Sequence, residues 1–260
     1  MTGLVQTSAT CLASGVDCFQ IALSAPRANA LEPDLLAALH AALDKLETSG
    51  ARTALLSGGK NFSTGGDVGR FLEAAENSQA VEYARKVVPA LQSLVLRMIG
   101  MPVIFGCAAR GAVTGGAAGL LWASDLVMLS ADAFVQPYYA TVGFAPDGGW
   151  TALLPEFIGL PATRRWLLAD ARRDADDLVA LGLADRVDQT PEDKAFHDLA
   201  KLDLDVALET KALLWDARRK TAVQDRLEAE TEAFLRRIAA TDTHTKMARF
   251  LGRQEVTPNV

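Results

Sequence analysis

Two glycine-dense stretches are the places where this chain's backbone could do chemistry: Phe62-Ser63-Thr64-Gly65-Gly66-Asp67 and Gly111-Ala112-Val113-Thr114-Gly115-Gly116-Ala117-Ala118-Gly119. Each follows a short apolar run and precedes a helix-like segment. Glycine tolerates positive φ and lets another group approach the backbone closely. Two such turns can point bare amide N–H groups into one cleft. Convergent backbone donors at a helix start are the physical recipe for an oxyanion hole. The competing reading is two tight turns that pack helices onto a sheet.

Other chemistries find less support. His40 lies among Leu39, Ala41 and Ala42 on a helical pattern, while His197 and His244 lie in the C-terminal part. No Ser/His/Asp or metal-ligand arrangement emerges, so the histidines read as structural or solvated. Three cysteines, Cys11, Cys18 and Cys107, leave an odd count without C-x-x-C spacing. That argues against a disulfide framework or a zinc site. A net charge of −6 argues against a broad nucleic-acid-binding surface. No apolar run of about 18 residues is present to span a bilayer. Residues 1–14 lack the basic start of a signal peptide. The cytoplasm is the expected location.

The elements that must position the loops are legible from periodicity. With half of its 260 residues hydrophobic, the chain can bury a sizeable core. Cys18 to Leu23 reads as a strand, paired with Ala9 to Ser14 across Gly15. Pro33 suits the first turn of a helix whose buried stripe is Leu35, Leu36, Leu39, Leu43 and Leu46. Thr53 to Ser57 reads as the strand that feeds the first glycine loop. Ala80 to Ile99 reads as a long amphipathic helix that Pro89 should kink or divide. Val103 to Cys107 is the strand before the second loop. Leu126 to Ser130 and Ala133 to Val135 read as buried strands, and Asp174 as the start of a helix. Strands alternating with helices indicate βαβ units. After about Pro191 the pattern becomes helical and charged, which divides the chain into residues 1–190 and 191–260.

The two loops, in this order and separation, resemble the crotonase superfamily (enoyl-CoA hydratases and isomerases). The likeness runs along nearly the whole chain. Pro26-Arg27-Ala28-Asn29-Ala30-Leu31 resembles the family's early R-P-x-x-N-A-L turn, with Arg and Pro exchanged. Gln136-Pro137 and Pro146-Asp147-Gly148-Gly149 resemble its later active-site segment. Ala180 to Val187 resembles its A-x-x-x-G-L-V-D-x-V stretch. The resemblance implies an α/β fold in which repeated ββα units coil into a spiral over 1–190. It also implies a C-terminal helical region that packs between subunits of a trimer or a dimer of trimers. The substrate would be an acyl-CoA, with coenzyme A entering as part of the thioester rather than as a bound cofactor.

Carried over residue by residue, the resemblance puts the oxyanion donors at the amides of Gly66 and Gly116. Such a donor is worth about 3 kcal/mol to a developing enolate. Family hydratases carry two glutamates where this chain has Gly119 and Tyr138. Neither residue can activate water, a poor nucleophile without a base, so hydration is not expected. Asp147 matches the acidic residue of certain enoyl-CoA and ring-expanding isomerases, and one carboxylate suffices for a 1,3-proton shift. Two roles stay open for it: proton shuttle, or cap of a helix starting near Gly148. A capping bond would lower its pKa and blunt it as a base. A hydrolase using Asp147, and a non-catalytic acyl-CoA-binding homologue, are the alternatives.

For the coenzyme A handle the resemblance points to Arg27 near the pyrophosphate and to backbone groups of Ser63, Thr64 and Gly65 near the adenine. Phe250 and Arg253 match the family's A-F-x-x-K-R ending, which can reach a neighbouring subunit's nucleotide; a solvated surface charge is the alternative for Arg253. Asp67 reads as an acceptor that orders the first loop. Phe71, Trp122, Tyr138, Tyr139, Phe144 and Trp150 lie near the site segments and could line an acyl pocket.

Overall fold

A computed structural model describes residues 3–253. Among the described residues, nine strands form two sheets. The larger has the order β1-β2-β3-β4-β6-β9, from β1 (Val5–Cys11), β2 (Asp17–Leu23), β3 (Thr53–Ser57), β4 (Ile104–Ala109), β6 (Leu126–Leu129) and β9 (Arg186–Val187). Only its first pair is antiparallel. The smaller has the order β5-β7-β8, from β5 (Ala112–Thr114), β7 (Phe134–Gln136) and β8 (Arg173–Asp174). Successive turns of the chain thus give one strand to each sheet, which is the expected spiral. β4 is buried along its whole length, as a parallel strand covered on both faces must be.

The helices that close these turns begin with a single turn α1 (Pro26–Asn29), then α2 (Pro33–Ser49), α3 (Val68–Glu76), α4 (Ala80–Gly100) and α5 (Ala118–Trp122). After them come α6 (Tyr139–Val142), α7 (Leu154–Ala169), α8 (Ala175–Ala180), α9 (Pro191–Leu199), α10 (Leu204–Leu214), α11 (Ala217–Ile238) and α12 (Thr241–Phe250). The leucine stripe of α2 is buried as its spacing predicts. Asp174 caps α8, its carboxylate accepting from the Asp177 amide at 2.9 Å.

Two local expectations need correction. The first strand lies at Val5–Cys11 because Leu12 to Val16 forms the turn, with Gly15 at φ 81°. Pro89 does not divide α4. Its ring is exposed, while Val88, Leu91, Val95 and Met98 on the opposite face are buried and hold the helix through the missing N–H bond.

The C-terminal helices are built into the core from residue 191 onward. Ala195 and Leu199 of α9 join Leu55, Ile104 and Met128 in a second cluster on the outer face of the large sheet. Lys211 of α10 is buried; its Nζ donates to the carbonyls of Met98 (3.0 Å) and Val103 (2.8 Å) and to Asp125 (2.7 Å). Leu227 and Phe234 of α11 are buried in the main core, and α11 lies along α4. Among the described residues, no helix is long and apolar enough to cross a membrane.

Candidate active site

β3 and β5 bring the two glycine loops side by side. The Ser63 amide donates to the Ala112 carbonyl at 3.0 Å, and the Thr114 amide donates to the Ser63 carbonyl at 3.1 Å. Close approach requires glycine here: Gly65 has φ 72°, and a Cβ on it would drive into the Thr114 carbonyl. Beyond this stitch lie Gly66 and Gly116. Among the described residues, neither amide donates to another group of the protein. Both residues line a cavity of about 430 Å³. Gly116 belongs to a short 3-10 turn, Gly115–Ala117, that leads into α5, so its amide stands among the unsatisfied donors of a helix start.

Asp147 lines the same cavity and is 7% exposed. Its two carboxylate oxygens would stand 3.0 and 3.2 Å from a Cβ placed on Gly116, so the carboxylate sits against the second oxyanion loop. The Tyr139 hydroxyl donates to Asp147 Oδ1 at 2.6 Å. Burial pushes the Asp147 carboxyl up to about 7, and the negative charge of Glu230 adds to the rise, while the Tyr139 bond opposes it. The Tyr139 hydroxyl is itself held well above its ordinary value, by burial and then by the Asp147 charge. A carboxyl near 7 can both accept and return a proton at neutral pH.

Asp147 caps no helix. Gly148 (φ 66°) and Gly149 (φ 101°) carry the chain through an open turn, and α7 begins only at Leu154. Three of the amides after Asp147 are satisfied from elsewhere in the chain. Glu230 of α11 accepts from Gly149 N (2.9 Å), Thr151 N (2.6 Å), Thr151 Oγ1 (2.7 Å) and Ala152 N (3.1 Å).

The first loop's expected ligands divide. Arg27, Thr64 and Asp67 line the cavity. Arg27 is in the left-handed region (φ 54°), with its guanidinium paired to Asp67 at 3.0 Å and to Glu32 at 2.5 Å. Asp67 caps α3 by accepting from the Arg70 amide at 2.9 Å, the ordering role read from its place in the loop. Ser63 and Gly65 do not reach the cavity. Both backbone groups of Ser63 are engaged in the stitch described above, and its hydroxyl donates to the Asn29 carbonyl. The Gly65 amide donates to Ser63 Oγ, and its carbonyl accepts from Leu31. These two shape the loop; both amides are engaged, and each carbonyl keeps one lone pair beyond the bond it accepts.

Of the aromatic residues singled out in the sequence, Phe71, Tyr138, Tyr139 and Phe144 line the cavity. Trp122 and Trp150 do not; they are buried behind it as an edge-to-face pair with centroids 4.6 Å apart. Phe250 closes the cavity of its own chain, its ring 5.5 Å from that of Tyr138, whereas Arg253 is exposed and away from the lining. His40 is tied to the Ala90 carbonyl and His197 and His244 are exposed, so none enters the site. Sequence reasoning missed Phe234 and Glu230. The signal for Glu230 was its place on a helical stripe between Leu227 and Phe234, where a glutamate has no ordinary business.

Two glycine loops open on one buried carboxylate, carried on a spiral of ββα units. Residues 15–256 match the Enoyl-CoA hydratase/isomerase family model, and the chain belongs to that family, within the crotonase superfamily. A Thermus thermophilus protein bearing the name "Putative enoyl-CoA hydratase" is 33% identical over 70% of this chain and 70% of its own length. Ethylmalonyl-CoA decarboxylase of Danio rerio is 25% identical over 67% of this chain and 57% of its own. The crystal structure of enoyl-CoA hydratase from Bacillus halodurans shares the fold, with a TM-score of 0.84, 21% identity and coverage of 95% of this chain and all of the other.

Proposed function

We propose that the protein is an enoyl-CoA isomerase that moves a double bond, or reorganises a ring, through a thioester enolate. The thioester oxygen accepts from the Gly66 and Gly116 amides. The Asp147 carboxylate takes a proton from a carbon activated by the carbonyl. The electron pair left behind is delocalised as the enolate that the two amides stabilise. Reprotonation by the same carboxyl two carbons away completes a 1,3-shift with no net gain or loss of atoms. Tyr139 holds Oδ1 and leaves Oδ2 to move the proton.

The observation that carries this reading is the buried Asp147 carboxylate against Gly116, held near neutral pKa with no competing cap. The test is exchange of α-protons of an acyl-CoA with deuterated water, alongside a screen of aliphatic and aromatic enoyl-CoAs. Exchange that persists at the wild-type rate in Asp147→Asn overturns it. A decarboxylase reading takes its support from the Danio rerio relative. The deprotonated form of Asp147 beside the oxyanion loop disfavours it, because the carboxylate to be lost would face a like charge.

The same proposal includes a cytoplasmic trimer or dimer of trimers acting on an acyl-CoA. The tail buries Leu204, Leu227 and Phe234 against its own core, so these contribute nothing to assembly. Leu213 (77% exposed) and Leu214 of α10, with Leu160 and Leu168 of α7, supply the apolar surface instead. Sedimentation showing a stable monomer at micromolar concentration overturns the assembly.

A further inference from the structure

We infer that Glu230 is a positioning residue for the catalytic loop: from α11 it gathers the amides that follow Asp147 and thereby fixes where that carboxylate stands against Gly116. The inference rests on the isomerase reading for its catalytic consequence, and on geometry alone for the placement.

The loop poses a hydrogen-bonding problem that its own sequence does not solve. Two successive glycines with positive φ, Gly148 and Gly149, turn the chain so that the next amides have no helix or strand to satisfy them. A buried N–H without an acceptor carries the full cost of its desolvation. Glu230 supplies one acceptor for three amides and a hydroxyl, reaching across 81 residues to Gly149 and 78 to Ala152. It is 3% exposed, and among the described residues it is in no ion pair. Burial raises the Glu230 carboxyl above its ordinary value, and its four donors, in place of a cation, oppose that rise.

The placement has tight tolerances. A Cβ on Gly148 would stand 2.7 Å from the Gly116 Cα, so the loop and the second oxyanion turn are in direct backbone contact. Any slackening of the Gly149–Ala152 segment is passed to Asp147 and to the Gly116 amide together. Misplacement of a reacting group by about 1 Å costs on the order of 10²-fold. Glu230 also acts at a distance through its charge. The titratable groups facing one another here are Tyr139 on α6, Asp147 on the loop and Glu230 on α11. Each negative charge disfavours ionisation of its neighbours.

Glu230→Gln keeps the size but removes the charge and turns one acceptor into a donor facing N–H groups. In this variant the plateau rate of α-proton exchange should fall roughly 10–100-fold with a smaller change in KM. The acid limb of the pH profile should move to lower pH, because Asp147 loses a repelling charge. A purely structural role would not move that limb. A folded Glu230→Gln protein with the wild-type plateau and limb overturns the inference.

Two further measurements keep it testable when the variant is unstable or the isomerase reading fails. In the wild-type protein the Gly149, Thr151 and Ala152 amides should resist hydrogen exchange as strongly as core strands do; rapid exchange overturns the placement. Infrared titration of the Asp147 carboxyl, with Asp147→Asn as the reference, needs no turnover. A midpoint that falls in Glu230→Gln supports the inference even for an enzyme that does not isomerise, and an unchanged midpoint overturns it.

Discussion

The carbonyl oxygen of Gly148 occupies the space that a Cβ on Gly119 would need, and the Gly148 carbonyl carbon would lie only 2.9 Å from it. Gly119 therefore does more than lack a carboxylate. Its bareness is what lets the Asp147 loop dock on α5. A glutamate at 119 and an aspartate at 147 in this loop conformation exclude each other sterically.

Restoring the hydratase residue should accordingly fail. Gly119→Glu should push the Asp147 loop away, cost roughly 1–3 kcal/mol of stability as overpacking does, and yield no hydration. Following the conjugated absorbance of crotonyl-CoA checks both proteins. The wild type should hydrate it far below the usual enzyme range of about 1–10³ per second, and turnover of many per second would falsify the reading of positions 119 and 138.

Asp147→Asn keeps the shape and the Tyr139 bond but removes the base. Isomerisation should drop by about 10²–10⁴-fold, the usual worth of a positioned acid–base group, with little change in affinity for the CoA ester. Steady-state rates together with calorimetric titration of a non-reactive thioester separate the two effects. A variant as active as wild type leaves the oxyanion hole without a base.

The same substitution has a stability signature that depends on pH. The Asp147 carboxyl is raised from an ordinary 3.8 to about 7 in the folded chain. Below the ordinary value both states hold the proton and burial of the charge costs nothing. Between the two values the folded state keeps a proton that the unfolded chain releases, so stability declines as pH rises, and above about 7 the full cost is present. Denaturant midpoints of wild type and Asp147→Asn should then nearly coincide at pH 4 and diverge toward pH 7. The variant should be the more stable, by a few kcal/mol at most. Parallel midpoints across that range would count against a buried, neutral-pKa Asp147.

Lys211 offers a test away from the chemistry. Lys211→Ala strands Asp125 and the carbonyls of Met98 and Val103 in the interior, and should cost about 3–5 kcal/mol. Lys211→Met together with Asp125→Asn should recover part of that loss, since no unpaired charge is left buried. Thermal melts of the single and double variants decide it; equal losses in both would show that the ion pair is not what fastens α10.

What the sequence disclosed was local. Gly65, Gly66, Gly115 and Gly116 announce their loops because positive φ and bare amides are properties of the residue itself. β3 was legible to its end residues because a buried parallel strand is a short, unbroken apolar run. The misreadings all involve long-range partners. Asp147 followed by glycine looks like a cap until Tyr139 and Glu230 are brought beside it. The Ser63 and Gly65 amides look free until Ala112 and the Ser63 hydroxyl engage them. Trp122 and Trp150 sit near the site in sequence but face the core. The stripe of α11 marks Glu230 as buried, but nothing in α11 reveals that its partners are a set of amides some 80 residues upstream.

Glu230, Phe234 and Phe250 lie in the last 31 positions, while the groups proposed to perform the chemistry are complete by Asp147. During synthesis the nascent chain therefore carries every reacting atom long before it carries a site. Proteins fold from the N-terminus as they emerge, and here the catalytic turn must wait for the final two helices to give its amides an acceptor and its cavity a wall. A prematurely terminated chain, such as one left by a late nonsense mutation, would retain both glycine loops and Asp147 and yet be inert.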